Sequence, residues 1–364
     1  MNILITGSKG FIGSNIKSFL KLETNHIITE HNRTSSKKTL IQKLKKTDII
    51  LHLGGENRSN NSQNFYKNNY QLTKDIVDNI KTKTHIIFAS TVKVKEKSIY
   101  GKSKKKAEGI LKQFCNEKKY ILSILRLPNV FGKWGRPNHN SVVATYCHNS
   151  SRNIKSKIDD PETVLDLLYI DDLISQIMSI IKNKKKIIYP KIKLIHKIKL
   201  KTLHQKIYSI NKNRIKLNID LVKTKIDKQI YSTYLTYLSN KQFTLSYKKN
   251  LDKRGNFSEL TKSKINGQTS YFTINPGHER GNHLHFSKVE KFFPIFGSGK
   301  IVYKNINNKK KITFKYNSNE ARVFEAIPGW SHKFINNTKS IAIIIVWANE
   351  IFDKKNPDTY YYKI

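Results

Sequence analysis

The chain has 364 residues, a length at which one hydrophobic core usually divides into two. Its 68 Lys and Arg against 26 Asp and Glu give a formal charge of +42, but nine of these cations are Arg and fifty-nine are Lys, scattered among Asn and Ile. Nucleic-acid readers concentrate Arg in a patch, so the charge reads as compositional drift; with 38% hydrophobic residues, two cysteines and no apolar run longer than Ile341 to Ala348, disorder, a disulfide framework and a bilayer span are excluded as well. The expectation is a cytoplasmic protein with no membrane insertion and no nucleic-acid partner.

Asn2 to Thr6 is a short apolar run, a predicted strand. Gly7, Gly10 and Gly13 follow at GxxGxxG spacing, and Phe11 to Leu20 has the periodicity of an amphipathic helix. Further strands are predicted at His26 to Thr29, Asp48 to Leu53, His85 to Ser90 and Ile121 to Leu127, separated by helices such as Asn68 to Ile80 and Lys102 to Lys118. This alternation implies an α/β Rossmann-type, doubly wound parallel sheet. From Lys182 to about Ile230, Leu203, Ile207 and Ile210 keep helical spacing in a Lys- and Ile-rich stretch, which predicts packed helices. Beyond Lys241 short apolar segments recur at Ser270 to Ile274, Lys291 to Phe296, Lys300 to Tyr303, Lys311 to Tyr316, Ala321 to Ala326 and Ile341 to Trp347. Separated by Gly, Asn and Pro, they predict an all-β sandwich or barrel. The expected division is residues 1–240, a dinucleotide-binding domain with its substrate-binding helices, and residues 241–364, an all-β domain.

The glycine motif sits directly after a strand and opens a helix, the context in which a dinucleotide pyrophosphate rests on a helix N-terminus. At the end of the second strand, His31 stands where an acid would bond the adenine ribose and Arg33 stands just beyond. That arrangement suits a 2′-phosphate and hence NADPH, with Glu30 the rival that would favour NAD. Tyr and Lys four apart share a helical face, where the ammonium can lower the phenol's pKa. In a chain this rich in Lys about three such pairs arise by chance, and five occur: Tyr70 with Lys74, Tyr100 with Lys104, Tyr189 with Lys193, Tyr208 with Lys212 and Tyr237 with Lys241. Only Tyr100 follows a buried-looking strand ending in hydroxyl residues, so context selects Tyr100 and Lys104.

These motifs resemble the extended short-chain dehydrogenase/reductase family: TGSKGFIG at Thr6 to Gly13, HLGG at His52 to Gly55, NYQLT at Asn69 to Thr73, YGKSK at Tyr100 to Lys104, LRLPNVFG at Leu125 to Gly132 and YIDDL at Tyr169 to Leu173. The resemblance implies a cofactor site at Gly7, Gly10, Phe11, Ile12, Gly13, Arg33, Leu53, Gly54, Asn69, Ser90, Tyr100 and Lys104. It also implies that Thr91 holds the substrate carbonyl, Tyr100 donates a proton as hydride arrives and Lys104 tunes it. The nine-residue step from Thr91 to Tyr100 is shorter than in most members.

In the second half, Gly277, His283, His285, Glu290 and Gly297 stand at GxxxxxHxHxxxxExxxxxxG spacing, followed by Pro328, Gly329 and His332 as PGxxH and by Asn336. Two His two apart on a strand share a face, and a Glu and a third His from other strands can close a metal site. The pattern looks like the cupin (jelly-roll barrel) signature. It implies His283, His285, Glu290 and His332 as ligands of Zn²⁺ or another divalent metal, all four or three with a water.

The two halves together resemble the CapF-type bifunctional enzymes of capsular-polysaccharide synthesis, UDP-2-acetamido-2,6-dideoxy-L-arabino-hexos-4-ulose reductases. RLPNVFGKWGRPNHNSVVATYC at Arg126 to Cys147, YSTYLTYL at Tyr231 to Leu238, RGNHLHFSKVEKF at Arg280 to Phe292 and WANEIFDKKNPDTY at Trp347 to Tyr360 carry the match, and the short Thr91 to Tyr100 step belongs to that subgroup. The resemblance implies a homodimer acting on a UDP-linked 4-keto-6-deoxy amino sugar, epimerised at C3 by the cupin and reduced at C4 by the first domain. Arg126, Asn129, Lys133, Arg136, Asn138 and Asn140 are the candidates for gripping the UDP group, and Lys288 lies near the cupin cavity.

Overall fold

The computed structural model describes residues 1–183, 188–215, 224–246, 250–252, 255–257, 268–350 and 355–364. In chain order the first elements are β1 Asn2–Thr6, α1 Phe11–Glu23, β2 Ile27–His31, α2 Lys37–Leu44, β3 Ile49–His52, α3 Ser62–Phe65, a π-helical turn Tyr66–Gln71, α4 Leu72–Val77, β4 His85–Thr91 and α5 Ile99–Glu117. β5 Ile121–Leu127, β6 Asn129–Phe131, α6 Val142–Ser151, β7 Val164–Tyr169, α7 Ile170–Lys182, β8 Ile195–Lys199, α8 Leu200–Ile215 and α9 Lys225–Leu235 follow. The remainder is β-structure: β9 Thr244–Ser246, β10 Asn250–Asp252, β11 Gly255–Phe257, β12 Gln268–Ile274, β13 Glu279–Leu284, β14 Glu290–Phe296, β15 Ser298–Asn305, β16 Lys311–Asn317, β17 Arg322–Glu325, β18 Trp330–Ile335, β19 Ala342–Ala348 and β20 Tyr360–Tyr361.

Chain contacts divide the molecule into two compact units, Met1–Ser141 with Val164–Ile198, and Val142–Thr163 with Lys199–Ile364. The expected division at residue 240 falls inside the second unit, between its helices and its sheets. In the first unit β2-β1-β3-β4-β5 form a parallel sheet. Its strands are almost continuous apolar runs because helices cover both faces: Leu4, Ile50, Ile86, Phe88 and Ile124 pack on one side against Leu40, Ile76, Ala107 and Leu111 of the helices. After β2 the chain crosses over β1 to β3, which makes the ends of β1 and β3 the switch point where open α/β sheets leave a crevice. The stretch expected to be packed helices over 182–230 contains α8 and α9, but also the unforeseen strand β8, which joins β6 and β7 in a small sheet. Residues 184–187 and 216–223 of that stretch lie outside the described residues.

The second unit holds two antiparallel five-stranded sheets, β12-β19-β14-β17-β9 and β16-β15-β18-β13-β20. On β14 the side chains alternate: Phe292 meets Phe272 and Phe334, residues of both sheets, while Lys291 and Phe293 point to the opposite face. α8 reaches that outer face. Arg214 of α8, 2% exposed, pairs with Glu325 of β17, and Lys291 reaches the other oxygen of Glu325 at 2.5 Å. A carboxylate with no solvent contact between two cations is held ionised by them against the penalty of burial. This ion triad ties α8, read from the sequence as part of the first domain, to the β-structure.

Candidate active site and metal centre

At the switch point, two backbones touch. Gly7 has φ +68°, and a Cβ there would lie 2.7 Å from Gly54 Cα; a Cβ on Gly13 would lie 2.1 Å from Gly7 O. Both positions therefore require glycine, one for its conformation and both for clearance. α1 starts beside them with Gly10 as N-cap, no capping side chain and no acid in its first turn. Its first amides are thus free of side-chain partners, which fits a dinucleotide pyrophosphate. Phe11 and Ile12 open the helix, and Leu53 and Gly54 line the other side.

At the end of β2, Glu30 accepts from Ser8 Oγ at 2.7 Å and from Lys17 at 3.2 Å. Burial raises its pKa, but these bonds outweigh it and the net shift is downward. His31 is buried, and Arg33, largely exposed, bonds Glu56 at 2.7 Å. Asn69 lies in the π-helical turn, a local widening frequent at functional sites. Its carboxamide is occupied by the protein: it accepts from Glu56 N and donates to Glu56 O and Ser103 Oγ.

Thr91 ends β4, and Ser98 caps α5, whose first turn carries Tyr100. Thr91 Oγ1 accepts from Lys93 N at 3.2 Å; burial raises the Tyr100 phenol's pKa and the nearby Thr91 hydroxyl opposes it, with a net rise. Lys104, one turn on and buried, donates to Ala89 O at 2.8 Å and lies 4.6 Å above the Phe88 ring. Burial brings it down to about 8, against the opposing pull of Glu108. Glu108 itself accepts from Ser90 Oγ at 2.6 Å and takes both nitrogens of Arg126, at 3.1 and 2.6 Å.

The proposed UDP-gripping residues separate into two groups. Arg126 is engaged by Glu108, and Lys133, 1% exposed, pairs with Asp171 at 2.5 Å. Asn129, Arg136, Asn138 and Asn140 are exposed, the last two at φ +56° and +58°.

His52 belongs to this site although the sequence reading gave it no role. Thr73 Oγ1 donates to Asn69 O at 2.6 Å, so it must accept from His52 Nε2–H at 2.9 Å. His52 Nδ1 is then a bare lone pair that accepts from Thr6 Oγ1 at 2.8 Å, while Thr6 accepts from Gly54 N. One neutral tautomer thus ties the glycine loop to the π turn. Burial pushes its pKa down to about 3. Between pH about 6.5 and 3 the unfolded chain binds a proton at this residue and the native chain does not, so stability falls as pH drops through that window. At about 1.4 kcal/mol per unit the loss reaches a few kcal/mol by pH 4. Urea midpoints measured from pH 7 to 4 are expected to fall more steeply in the wild type than in His52→Gln; equal slopes would exclude this role.

In the second unit, His283 and His332 face each other across β13 and β18, where a bulge at Gly281 to His283 brings the strands close; a Cβ on Gly281 would lie 2.6 Å from His332 O. His285 follows β13 directly. Glu290 opens β14, so the cluster joins His283 and His332, on neighbouring strands of one sheet, to a carboxylate from the other. Their ligating atoms all lie within 4.8 Å of one another. Glu290 Oε2 is 3.1 Å from His285 Nε2 and 3.8 Å from His332 Nε2. These distances bracket the separation of about 3.4 Å for two ligands, each about 2.1 Å from a tetrahedral zinc ion. His285 Nδ1 donates to Asp358 O at 2.7 Å, which leaves Nε2 a lone pair facing a carboxylate oxygen. Two acceptors so close need a cation between them, a proton or a metal, and His332 Nδ1 is buried with no partner. Burial raises the Glu290 carboxyl, but the three histidines bring it down to about 2. The donor set fits a divalent metal.

The fold, with its dinucleotide crevice and its Tyr-Lys pair, defines a class: residues 3–192 match the NAD dependent epimerase/dehydratase family, and the chain belongs to it. Residues 250–360 match the polysaccharide biosynthesis C-terminal domain. More particularly, the chain is 33% identical over 99% of its length to a UDP-2-acetamido-2,6-beta-L-arabino-hexul-4-ose reductase of Pseudomonas aeruginosa, of which it covers 98%. It is also 33% identical to the crystal structure of the capsular polysaccharide assembling protein CapF from Staphylococcus aureus, with full coverage of both chains and a TM-score of 0.69. A UDP-glucuronic acid 4-epimerase from Bacillus cereus, in complex with NAD, shares the fold at 18% identity, over 65% of this chain and 96% of its own, with a TM-score of 0.56. Among the described residues no helix is long and apolar enough to cross a membrane.

Proposed function

We propose that the chain is a bifunctional nucleotide-sugar enzyme. The first domain reduces C4 of a UDP-2-acetamido-2,6-dideoxy-4-keto-hexose with NADPH, and the cupin-type domain epimerises C3. The product is a UDP-N-acetyl-6-deoxy-L-talosamine-type sugar, on the route to UDP-N-acetyl-L-fucosamine for surface polysaccharide, made by a homodimer in the cytoplasm. The observation that carries this reading is the presence, in one chain, of the Thr91, Tyr100 and Lys104 set and of a closed three-His, one-Glu cluster.

When bound, reduced nicotinamide supplies the hydride, and a divalent metal supplies Lewis acidity towards a carbonyl oxygen. Tyr100, kept protonated by burial, donates its proton to the C4 oxygen as that oxygen gains charge. Thr91 holds the same oxygen. Lys104, mostly cationic at neutral pH, offers positive charge to the phenolate left behind. In the second reaction the C4 ketone acidifies the C3–H, and loss and return of that proton on opposite faces invert C3. His283, His285, Glu290 and His332 would hold the divalent metal, which would polarise the ketone oxygen.

NADPH is favoured by the state of the β2 terminus: Glu30 is occupied by Ser8 and Lys17 and partly buried, whereas Arg33, paired with Glu56 through one nitrogen, is largely exposed and keeps further donors for a 2′-phosphate. The test is NADPH oxidation with the UDP-linked 4-keto-6-deoxy amino sugar. Turnover is expected with NADPH and at least tenfold less with NADH, and Arg33→Ala should narrow the gap. Absence of turnover with either cofactor would overturn the reading; equal turnover with both would overturn the cofactor assignment.

A further inference from the structure

The metal ligands are held by a segment far along the chain from the histidine signature. Asp358 lies in the C-terminal stretch that leads into β20, which pairs with β13 through His283 with Tyr361 and Leu284 with Tyr360. Its carboxylate receives four donors from the loop after His285: Phe286 N at 2.9 Å on one oxygen, and Ser287 N at 2.8 Å, Ser287 Oγ at 2.7 Å and Lys288 N at 2.5 Å on the other. Its backbone carbonyl accepts from His285 Nδ1 at 2.7 Å. The same segment is anchored on both sides, since Lys288 Nζ donates to Pro357 O and Thr359 Oγ1, and Asn282 bonds Tyr362 N and Ile364 N. Asp358 takes φ +37°, a conformation that Asp tolerates better than most residues.

One residue therefore does two things to one ligand. The carbonyl admits a single His285 tautomer, with Nε2 bare and turned to Glu290. The carboxylate fixes the loop that carries the ring, and charge-assisted bonds to three successive amides hold that loop more firmly than neutral partners would. We propose that Asp358 is the positioning residue of the metal centre, so that the C-terminal strap as well as the histidine signature determines the affinity for a divalent ion. This rests on the reading of His283, His285, Glu290 and His332 as a metal site. Partners of this kind typically affect affinity 10- to 100-fold.

The test is Zn²⁺ affinity by chelator competition on the full chain, with circular dichroism and melting of the zinc-free protein as the check on folding. Asp358→Ala is expected to bind Zn²⁺ about 10 to 100 times more weakly than the wild type, and Asp358→Asn, which keeps one acceptor oxygen, about threefold or more weakly. With Co²⁺ as the probe, the visible ligand-field bands of the variants should shift, an effect that mere loss of stability would not produce. If Asp358→Ala does not fold, Asp358→Asn decides. Folded variants that bind Zn²⁺ within twofold of the wild type, with unchanged Co²⁺ bands, would overturn the proposal. A wild type that binds neither ion would overturn the metal reading itself, a separate and recognisable result.

Discussion

Tyr100→Phe should reduce the turnover number for NADPH oxidation by about 100- to 10,000-fold, the usual contribution of a positioned general acid. The substitution removes one oxygen from a half-buried ring at the start of α5 and leaves the Ser98 cap of that helix intact, so the fold should be unchanged. The Michaelis constant should move little, because the hydroxyl acts as charge develops on the ketone oxygen and not in the ground state. The check is steady-state kinetics with the 4-keto sugar, paired with NADPH binding by fluorescence. Retention of more than a tenth of the wild-type rate would assign the proton donor elsewhere. Thr91 then becomes the group to test, being the hydroxyl that acts on the Tyr100 phenol.

His283→Ala should abolish solvent exchange at C3. Incubation of the wild type with the 4-keto sugar in D₂O without NADPH is expected to place deuterium at C3, seen as a one-mass-unit shift and loss of the C3 proton signal. In His283→Ala, exchange should drop at least 100-fold, because loss of one ligand of the set would loosen and misplace the metal that would polarise the ketone beside the C3–H. Chelation of the wild type should reproduce that loss, and added Zn²⁺ should restore exchange to the chelated wild type but not to the variant. NADPH oxidation with an already epimerised 4-keto sugar should survive in His283→Ala. No C3 exchange in the wild type would mean that the cluster binds metal for structure or regulation.

The two sites differ in how far they could be read from residues alone. The glycine motif was legible because strand, turn and helix lie within a dozen residues, and Gly7, Gly10 and Gly13 leave little steric choice. Tyr100 and Lys104 were legible by context, but not what surrounds them: burial and not Lys104 dominates the phenol, and Lys104 turns to Ala89. Glu108 had a weak signal, four residues after Lys104 on the same helical face. Asp358 had none, since it meets its partners across some seventy residues of chain. Arg126 and Lys133 show the opposite case. Residue type made them candidates for the UDP group, and the fold gives each a carboxylate of its own in Glu108 and Asp171.

By itself the sequence determined the alternation of strands and helices, the dinucleotide turn, the all-β second half and the four side chains of the His and Glu cluster. All of these rest on short periods or fixed spacings, which local sterics and side-chain direction read directly. Only the tertiary structure decided which lysines are buried and paired, which tautomer His52 and His285 adopt, and that α6, α8 and α9 belong to the compact unit that holds the antiparallel sheets. The physical reason is the same each time. A burial penalty and its compensating charge come from residues far apart in the chain, as with Arg214 and Glu325 or His285 and Asp358, and no local pattern records that pairing.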